Sequence, residues 1–236
     1  MDAIILAGGL GTRLRSVVSE VPKCMAPVCG KPFLYYLLSY LNKYKEIEKV
    51  ILSVGYLKEH IYDWIHDNLS LFEFQIDYAV EDMPLGTGGG IKLALSKTEA
   101  ENVLILNGDT FFDVDISELY RENKTMASNA ALSVALKKME NFDRYGSVTT
   151  DGATIISFNE KKHCESGLIN GGIYIINQKN LDLNIYPEKF SFEKEVLEKL
   201  SQQQKIAGFE QNRYFIDIGI PEDYAKANED FKSIFK

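Results

Sequence analysis

Short apolar runs alternate along this chain with stretches whose apolar residues recur at helical spacing. Residues 3–7, 50–54, 74–80, 103–107, 131–136 and 173–176 read as strands. Val103, Leu104, Ile105 and Leu106 are apolar without a break, as a central parallel strand covered on both faces requires. Between the runs, the spacing predicts helices over 32–44, 58–68, 90–96 and 117–123, the last opening on Ser117-Glu118 as a helix N-terminus. This strand–helix–strand rhythm predicts an α/β fold, a Rossmann-like and mostly parallel central sheet with helices on both faces. The second half is less regular and richer in β pattern. Residues 148–150 and 154–158 flank Asp151-Gly152 as a hairpin, and helices are predicted over 191–200 and 221–235, with Ser191 and Pro221 as their starts. No repeat, linker or low-complexity segment interrupts the chain, so a single domain over 1–236 is expected.

Composition narrows the choice of partners. With 236 residues, 45% hydrophobic and 25% charged, the chain can bury a full core. Its net charge of −8 argues against a nucleic-acid binder, which needs a basic face. Anionic substrates would have to be held by a local cationic cluster or a divalent cation. Cys24, Cys29 and Cys164 are odd in number and lack Cys-x-x-Cys spacing, which argues against a disulfide framework or a zinc site and suits the reducing cytoplasm. The apolar run at the N-terminus has no basic stretch before it and is too short to span a membrane.

The chemistry begins where the first strand ends. Leu6-Ala7-Gly8-Gly9-Leu10-Gly11-Thr12-Arg13-Leu14 turns an apolar strand into a glycine-rich bend, and Pro22-Lys23 follows. Backbone N–H groups in such a bend approach an anion closely, and Arg13 and Lys23 add charge, so the segment suits a polyphosphate. It is neither a dinucleotide fingerprint, because Leu14 stands at the third glycine, nor a P-loop, because Thr12-Arg13 stands in place of Lys-Ser/Thr. A plain connecting turn and a solvated lysine are the bland alternatives. Asn107-Gly108-Asp109 ends the all-apolar strand, where open α/β sheets bind ligands. Asp109 is therefore either a Mg²⁺ ligand or a turn carboxylate. Asp217 again follows an apolar run and precedes Gly219. Asp113, Asp115 and Asp223 read as helix-start or solvated acids.

These stretches together resemble the signature of the sugar-1-phosphate nucleotidyltransferases. The resemblance continues, in the same order, through Pro84-Leu85-Gly86-Thr87-Gly88-Gly89, Asn107-Gly108-Asp109, Glu160-Lys161, Asn170-Gly171-Gly172-Ile173-Tyr174 and Asp217-Ile218-Gly219, and so covers nearly the whole chain. Cys24 departs from it, since members often carry proline after the lysine. The resemblance implies a nucleotide-binding half over about 1–125 and a sugar-phosphate-binding half over about 126–236. It implies that Leu6, Ala7, Gly8, Gly9, Gly11, Thr12, Arg13, Glu81, Gly86 and Thr87 hold the nucleotide. Asn107, Gly108, Gly146, Glu160, Lys161, Asn170 and Gly171 are implied to hold the sugar phosphate, and Asp109 and Asp217 a Mg²⁺ ion. Arg13 and Lys23 become the catalytic cations, Arg13 on the triphosphate and leaving pyrophosphate and Lys23 at the α-phosphorus.

The expected reaction needs no general base. A sugar 1-phosphate has a second pKa near about 6 and is already mostly a dianion at neutral pH. No Ser/His/Asp arrangement is apparent, the three histidines being scattered at 60, 66 and 163. For the base, Glu81 can accept both N1–H and N2–H of guanine, whereas uracil and thymine offer one N–H between carbonyls that would repel it. GTP is therefore the expected donor, with a solvated Glu81 and backbone readout as the alternative. The sugar is nearly invisible to residue-level reasoning. Within the family, the stretches 15–23, 107–115, 142–146 and 214–224 are most similar to members acting on a heptose 1-phosphate for surface glycans. Another sugar 1-phosphate, with GTP or UTP, would share the same motifs. A non-catalytic nucleotide-sugar sensor is disfavoured by the intact charged set of Arg13, Lys23, Asp109, Lys161 and Asp217. Assembly into a homo-oligomer stays open.

Overall fold

The computed structural model describes residues 1–9, 14, 17–126 and 130–235. Its strands are β1 (Asp2–Leu6), β2 (Pro27–Val28), β3 (Lys31–Pro32), β4 (Lys49–Val54), β5 (Gln75–Val80), β6 (Asn102–Asn107) and β7 (Thr110–Phe112), followed by β8 (Leu132–Phe142), β9 (Gly146–Asp151), β10 (Thr154–Lys161), β11 (Cys164–Asn177), β12 (Ile206–Glu210) and β13 (Phe215–Asp217). The α-helices are α1 (Phe33–Leu41), α2 (Lys58–Asn68), α3 (Gly86–Leu95), α4 (Ile116–Met126), α5 (Glu198–Gln202) and α6 (Pro221–Ile234).

Nine strands form one twisted sheet in the order β5-β4-β1-β6-β11-β8-β12-β10-β9, with β9 also meeting β11. The first four are parallel, as the rhythm of the first half predicts. Beyond β6 the sheet is mixed: β11 runs antiparallel to both β6 and β8, and only β12 beside β8 is parallel. The sheet as a whole is therefore less parallel than expected, because the second half is made of hairpin-like returns rather than helical crossovers.

Alternation sorts the strand residues onto two faces. Ile5, Leu52, Leu104 and Ile175 face a core filled by α1, Ile61 and Ile65 of α2, and Phe231 of α6. Ile4, Ile51, Ile105 and Tyr174 face a second core filled by Ile91, Ala94, Phe192 and Val196. Helices cover both faces, which is why β6 tolerates no polar residue between Val103 and Leu106. Among the described residues, no helix is long and apolar enough to cross a membrane.

Several elements differ from the pattern-based reading for identifiable reasons. Strand β8 continues to Phe142 and β11 begins at Cys164, far outside the predicted 131–136 and 173–176. Their added lengths pair with each other, Met139 opposite Gly167 and Glu140 opposite Ser166, so the ladder persists where the apolar signal stops. Helix α3 starts at Gly86, four positions before the predicted 90, through a glycine run that propensity alone discourages. Helix α4 is capped by the Asp115 carboxylate, which accepts from Glu118 N–H at 2.9 Å, while Ser117 donates instead to Glu46. The predicted 191–200 helix is split into a π-turn (Glu193–Leu197) and α5, with Ser191 Oγ accepting from Lys194 N–H at 3.3 Å. The hairpin turn behaves as expected, Gly152 supplying φ +56° between β9 and β10.

The fully buried Leu104 sits at the centre of the sheet. Replacing it by alanine should cost about 2–5 kcal/mol of unfolding free energy, read from urea denaturation with the m-value unchanged. A loss below about 1 kcal/mol would contradict this placement of the core.

Candidate active site

The strand order places β1 between β4, which leads outward to β5, and β6, which continues the sheet on the other side. Such a topological switch point opens a crevice at the carboxyl ends of the strands. Here Leu6 and Asn107 stand side by side in register. Gly108 donates its N–H to Leu6 O at 3.0 Å, and a Cβ on Gly108 would lie 2.4 Å from that same oxygen. Only glycine lets the two strand ends meet so closely. The crevice measures about 440 Å³ and is lined by Leu6, Ala7, Gly8, Gly9, Lys23, Glu81, Gly86, Thr87, Asn107, Gly108 and Asp109 from among the residues singled out by sequence. Gly11, Thr12 and Arg13 lie outside the described residues.

Its charged floor comes from three separate segments. Lys23 opens the 3₁₀ turn Lys23–Met25 after Pro22, Asp109 follows β6, and Asp217 ends β13. The short antiparallel pair β7–β13 sets Asp217 opposite Thr110 and so brings the two carboxylates together. The Lys23 ammonium donates to Asp109 Oδ2 and stands 3.6 Å from Asp217 Oδ1. Gly219 N–H donates to the same Asp217 oxygen at 2.6 Å, and a Cβ on Gly219 would fall 2.7 Å from it and 3.1 Å from Lys23 Nζ. Burial pushes the Asp217 carboxyl above its ordinary range, the Asp109 charge pushes it the same way, and Lys23 opposes both. Two carboxylates share one ammonium, so the floor retains negative charge where a cation would be welcome. Both donors are hard oxygens, which fits a divalent ion such as Mg²⁺. Among the described residues no group of three or more His, Cys, Asp or Glu surrounds such a point. An ion there would take its remaining ligands from substrate phosphates and water, as Mg²⁺ commonly does.

On the β5 side, Glu81 is held in place by accepting from Ser53 Oγ–H at 3.1 Å and from Leu85 N–H at 3.0 Å, one bond to each oxygen. Gly8 and Gly90 make room for this carboxylate, since a Cβ would come within 2.8 Å and 3.0 Å of Glu81 Oε1. Thr87 hydroxyl donates to Glu193 Oε2 at 2.6 Å and accepts from Phe192 N–H at 3.0 Å, so the start of α3 is tied to the segment entering the π-turn. Phe190 seals this junction, its ring lying where a Gly88 Cβ would be, at 2.2 Å. Sequence reasoning missed Ser53, Gly90, Phe190 and Glu193; for Gly90, the unusual glycine run through α3 was the available signal. Gly219 stood in a recognised motif without being assigned a role.

The residues expected to hold a sugar phosphate lie on the adjoining strands. Asn170 uses its side chain within a bulge of β11, accepting from Gly172 N–H at 2.9 Å and donating to Tyr174 Oη at 2.8 Å. Gly172, with φ +73°, lies against Asn107, and Gly171 against Phe112, so the bulge abuts the strand ends that carry Asp109. Gly146 pairs with Lys161, and Ser147 with Ile169, which puts Gly146, Lys161 and Asn170 on neighbouring strands. Glu160 and Lys161 are exposed and are not among the residues lining the crevice, and no hydrogen bond or ion pair joins them to Lys23 or Asp109.

A switch-point crevice with a lysine and two carboxylates beside it carries charged groups of the kind that handle phosphates and divalent ions. The nucleotidyl transferase family model matches residues 2–233, and the chain belongs to that family. It is 49% identical over 232 residues to the D-glycero-α-D-manno-heptose 1-phosphate guanylyltransferase of Aneurinibacillus thermoaerophilus, covering 98% of this chain and 99% of that protein. The enzyme of the same name from Campylobacter jejuni is 45% identical over 225 residues, covering 95% and 97% of the two chains. The crystal structure of HddC from Yersinia pseudotuberculosis complexed with GMP-PN superposes with a TM-score of 0.83 at 39% identity, over 98% of this chain and 99% of that one.

Cys24 neighbours Lys23 at the crevice wall, yet burial and the nearby Asp109 charge push its thiol up to about 12. A thiol so shifted stays protonated at pH 8 and is a poor nucleophile. Iodoacetamide at pH 8 should therefore label the exposed Cys29 and leave Cys24 unmodified by peptide mass spectrometry. Equal labelling of both would contradict the buried position of Cys24.

Proposed function

We propose that this protein transfers GMP from GTP to D-glycero-α-D-manno-heptose 1-phosphate, yielding GDP-heptose and pyrophosphate. The observation that carries the reading is the Lys23–Asp109–Asp217 floor at the switch point, in a chain 49% and 45% identical over nearly its full length to two enzymes of that name. A phosphate oxygen of the sugar 1-phosphate attacks the α-phosphorus of GTP. The bond from the α-phosphorus to the bridging oxygen of the β-phosphate breaks, and pyrophosphate leaves with that electron pair. Because the nucleophile is already a dianion, the protein's work is to align two anions and balance the charge that develops between them.

Each residue has a share in that work. The strand-end glycines Gly8 and Gly9 bring backbone close to the triphosphate, and Arg13 holds the pyrophosphate as it departs. Lys23 stabilises charge on the α-phosphoryl oxygens. Asp109 and Asp217 would hold Mg²⁺, which would supply positive charge against the phosphates. Glu81 reads guanine: each of its oxygens already accepts one hydrogen bond, and each keeps a lone pair for N1–H or N2–H. Lys161 binds the sugar phosphate, Glu160 and Asn170 its hydroxyls, and Gly146 and Gly171 allow the ring to approach. The nucleotide half thus spans about residues 1–125 and the sugar-phosphate half about 126–236. Three free cysteines are consistent with work in the cytoplasm.

Pyrophosphate release across four nucleoside triphosphates and a panel of sugar 1-phosphates tests the reading. Release is expected with GTP and the heptose 1-phosphate, and release only with UTP or dTTP would overturn the role given to Glu81. Lys23→Ala should lower kcat by about 100-fold or more, and a near-wild-type rate would remove its assignment. Chelation with EDTA should abolish turnover and added Mg²⁺ restore it, whereas Asp217→Asn should require far more Mg²⁺ for half-maximal rate. Full activity in EDTA would rule out the metal site.

A further inference from the structure

A second cleft of about 240 Å³ opens on the far side of Asp217, between the β8–β9 connection, strand β13 and the first turns of α6. Asp217 belongs to its wall and stands 3.6 Å from the ammonium of Lys23, which lines the main crevice, so one ion-pair contact links the two spaces. Tyr145 lines it as well, and the next residue is Gly146, at the start of β9. The cleft therefore lies between Asp217 and the start of β9, on the side of the strands proposed to hold the sugar ring.

Its lining says what kind of ligand fits. Carboxylates outnumber cations, Asp143, Asp217 and Asp223 against Arg144 and Lys226. Both cations are already paired within the chain, Arg144 with Asp223 and Lys226 with Asp230. Such a surface has no surplus of positive charge with which to attract an anion. Yet it offers directional polar groups. Arg144 donates through Nη2 alone, to Tyr145 Oη at 3.0 Å and to Asp223, so its Nε and Nη1 donors have no acceptor among the described residues. The side chains of Asn141 and Asp143 likewise make no hydrogen bond there. Aromatic edges complete the wall, with Tyr145 and Phe215 packed edge to face at 5.9 Å between centroids. Unpartnered donors and acceptors beside aromatic rings, with no net positive charge, suit a neutral polyhydroxylated group.

We infer that this cleft is the subsite for the exocyclic end of the sugar, and that Arg144 and Tyr145 select a substrate carrying a vicinal diol there. The inference rests on the heptose 1-phosphate reading given above. By its chemical name, that sugar is a mannose-configured ring extended by one hydroxyl-bearing carbon, so its C6–C7 end is a diol where mannose has a single hydroxymethyl group. The guanidinium, held through Nη2 by Asp223 and Tyr145, keeps its Nε–H and Nη1–H groups available to donate to the diol oxygens, and Asp143 can accept from them. A site built around such hydrogen bonds rejects an analogue lacking one hydroxyl, because its polar groups are then left unpaired.

The test compares kcat/KM for D-glycero-α-D-manno-heptose 1-phosphate and α-D-mannose 1-phosphate, each with GTP, in the wild type, Arg144→Lys and Tyr145→Phe. Lysine keeps a cation opposite Asp223 but loses the fork, and phenylalanine keeps the ring but loses the hydroxyl that steadies Arg144. The wild type should prefer the heptose at least about tenfold, and each variant should lose about tenfold on the heptose while changing less than about twofold on mannose. If Arg144→Lys does not fold, Tyr145→Phe carries the comparison by itself. An equal fall on both sugars, or an unchanged preference in the folded variants, overturns the subsite and leaves the proposed reaction standing. A folded wild type that binds GTP, by thermal shift, but yields no product from the heptose 1-phosphate overturns the reaction and the subsite with it.

Discussion

Everything in the crevice depends on two strand ends meeting with almost no space between them. The Gly108 N–H bond to Leu6 O at 3.0 Å joins the ends of β1 and β6 where side chains would ordinarily hold them apart. Had Gly108 carried a Cβ, the backbone after β6 would have to swing away from β1, and Asp109 with it. The position of a charged group is thus fixed by a steric condition on its neighbour. The same logic governs Gly219, where a missing side chain lets a backbone N–H and an ammonium converge on one oxygen of Asp217. Glycine here acts as a positioning device for charge rather than as a source of looseness.

The electrostatics of the floor follow from that geometry. Lys23 is held between two carboxylates from opposite halves of the chain, and the balance among them leaves a surplus of negative charge. Taken alone, such an arrangement would repel a triphosphate. In the proposed reaction that surplus is where a divalent cation arriving with the phosphates would sit. The acidic net charge of the whole chain is consistent with that proposal, which confines recognition of the anions to one crevice instead of spreading it over a basic face.

Much of this was legible in the residues alone, for uneven reasons. The unbroken apolar run 103–106 announced a doubly covered strand, and Asn107-Gly108-Asp109 after it announced the crevice, because burial on both faces and a glycine stop are strong local signals. The hairpin at Asp151-Gly152 was equally plain. Strands β8 and β11 were read too short because their outer lengths are held by backbone pairing between polar residues, and binary patterning cannot see that. Helix α3 was read too late because its first turns are glycines, whose low propensity is overridden by Phe190 and Glu188 packing against them. Asp217 was visible as a carboxylate ending an apolar run, and the resemblance paired it with Asp109, but the β7–β13 ladder that brings the two together, three residues on each side, is a long-range contact that binary patterning does not show. The tie from Thr87 to Glu193 is of the same kind: a long-range contact between two residues that look ordinary in their own neighbourhoods.

The β7–β13 pairing also has a bearing on how the protein is made. Lys23 and Asp109 leave the ribosome well before Asp217, and the two-strand ladder that joins them cannot close until β13 has emerged. Until then Lys23 and Asp109 lack the second carboxylate, and Gly219, which lines the crevice, is missing as well. A partly synthesised molecule is in that sense held in check by its own topology: the carboxylate pair is the last part of the floor to be assembled.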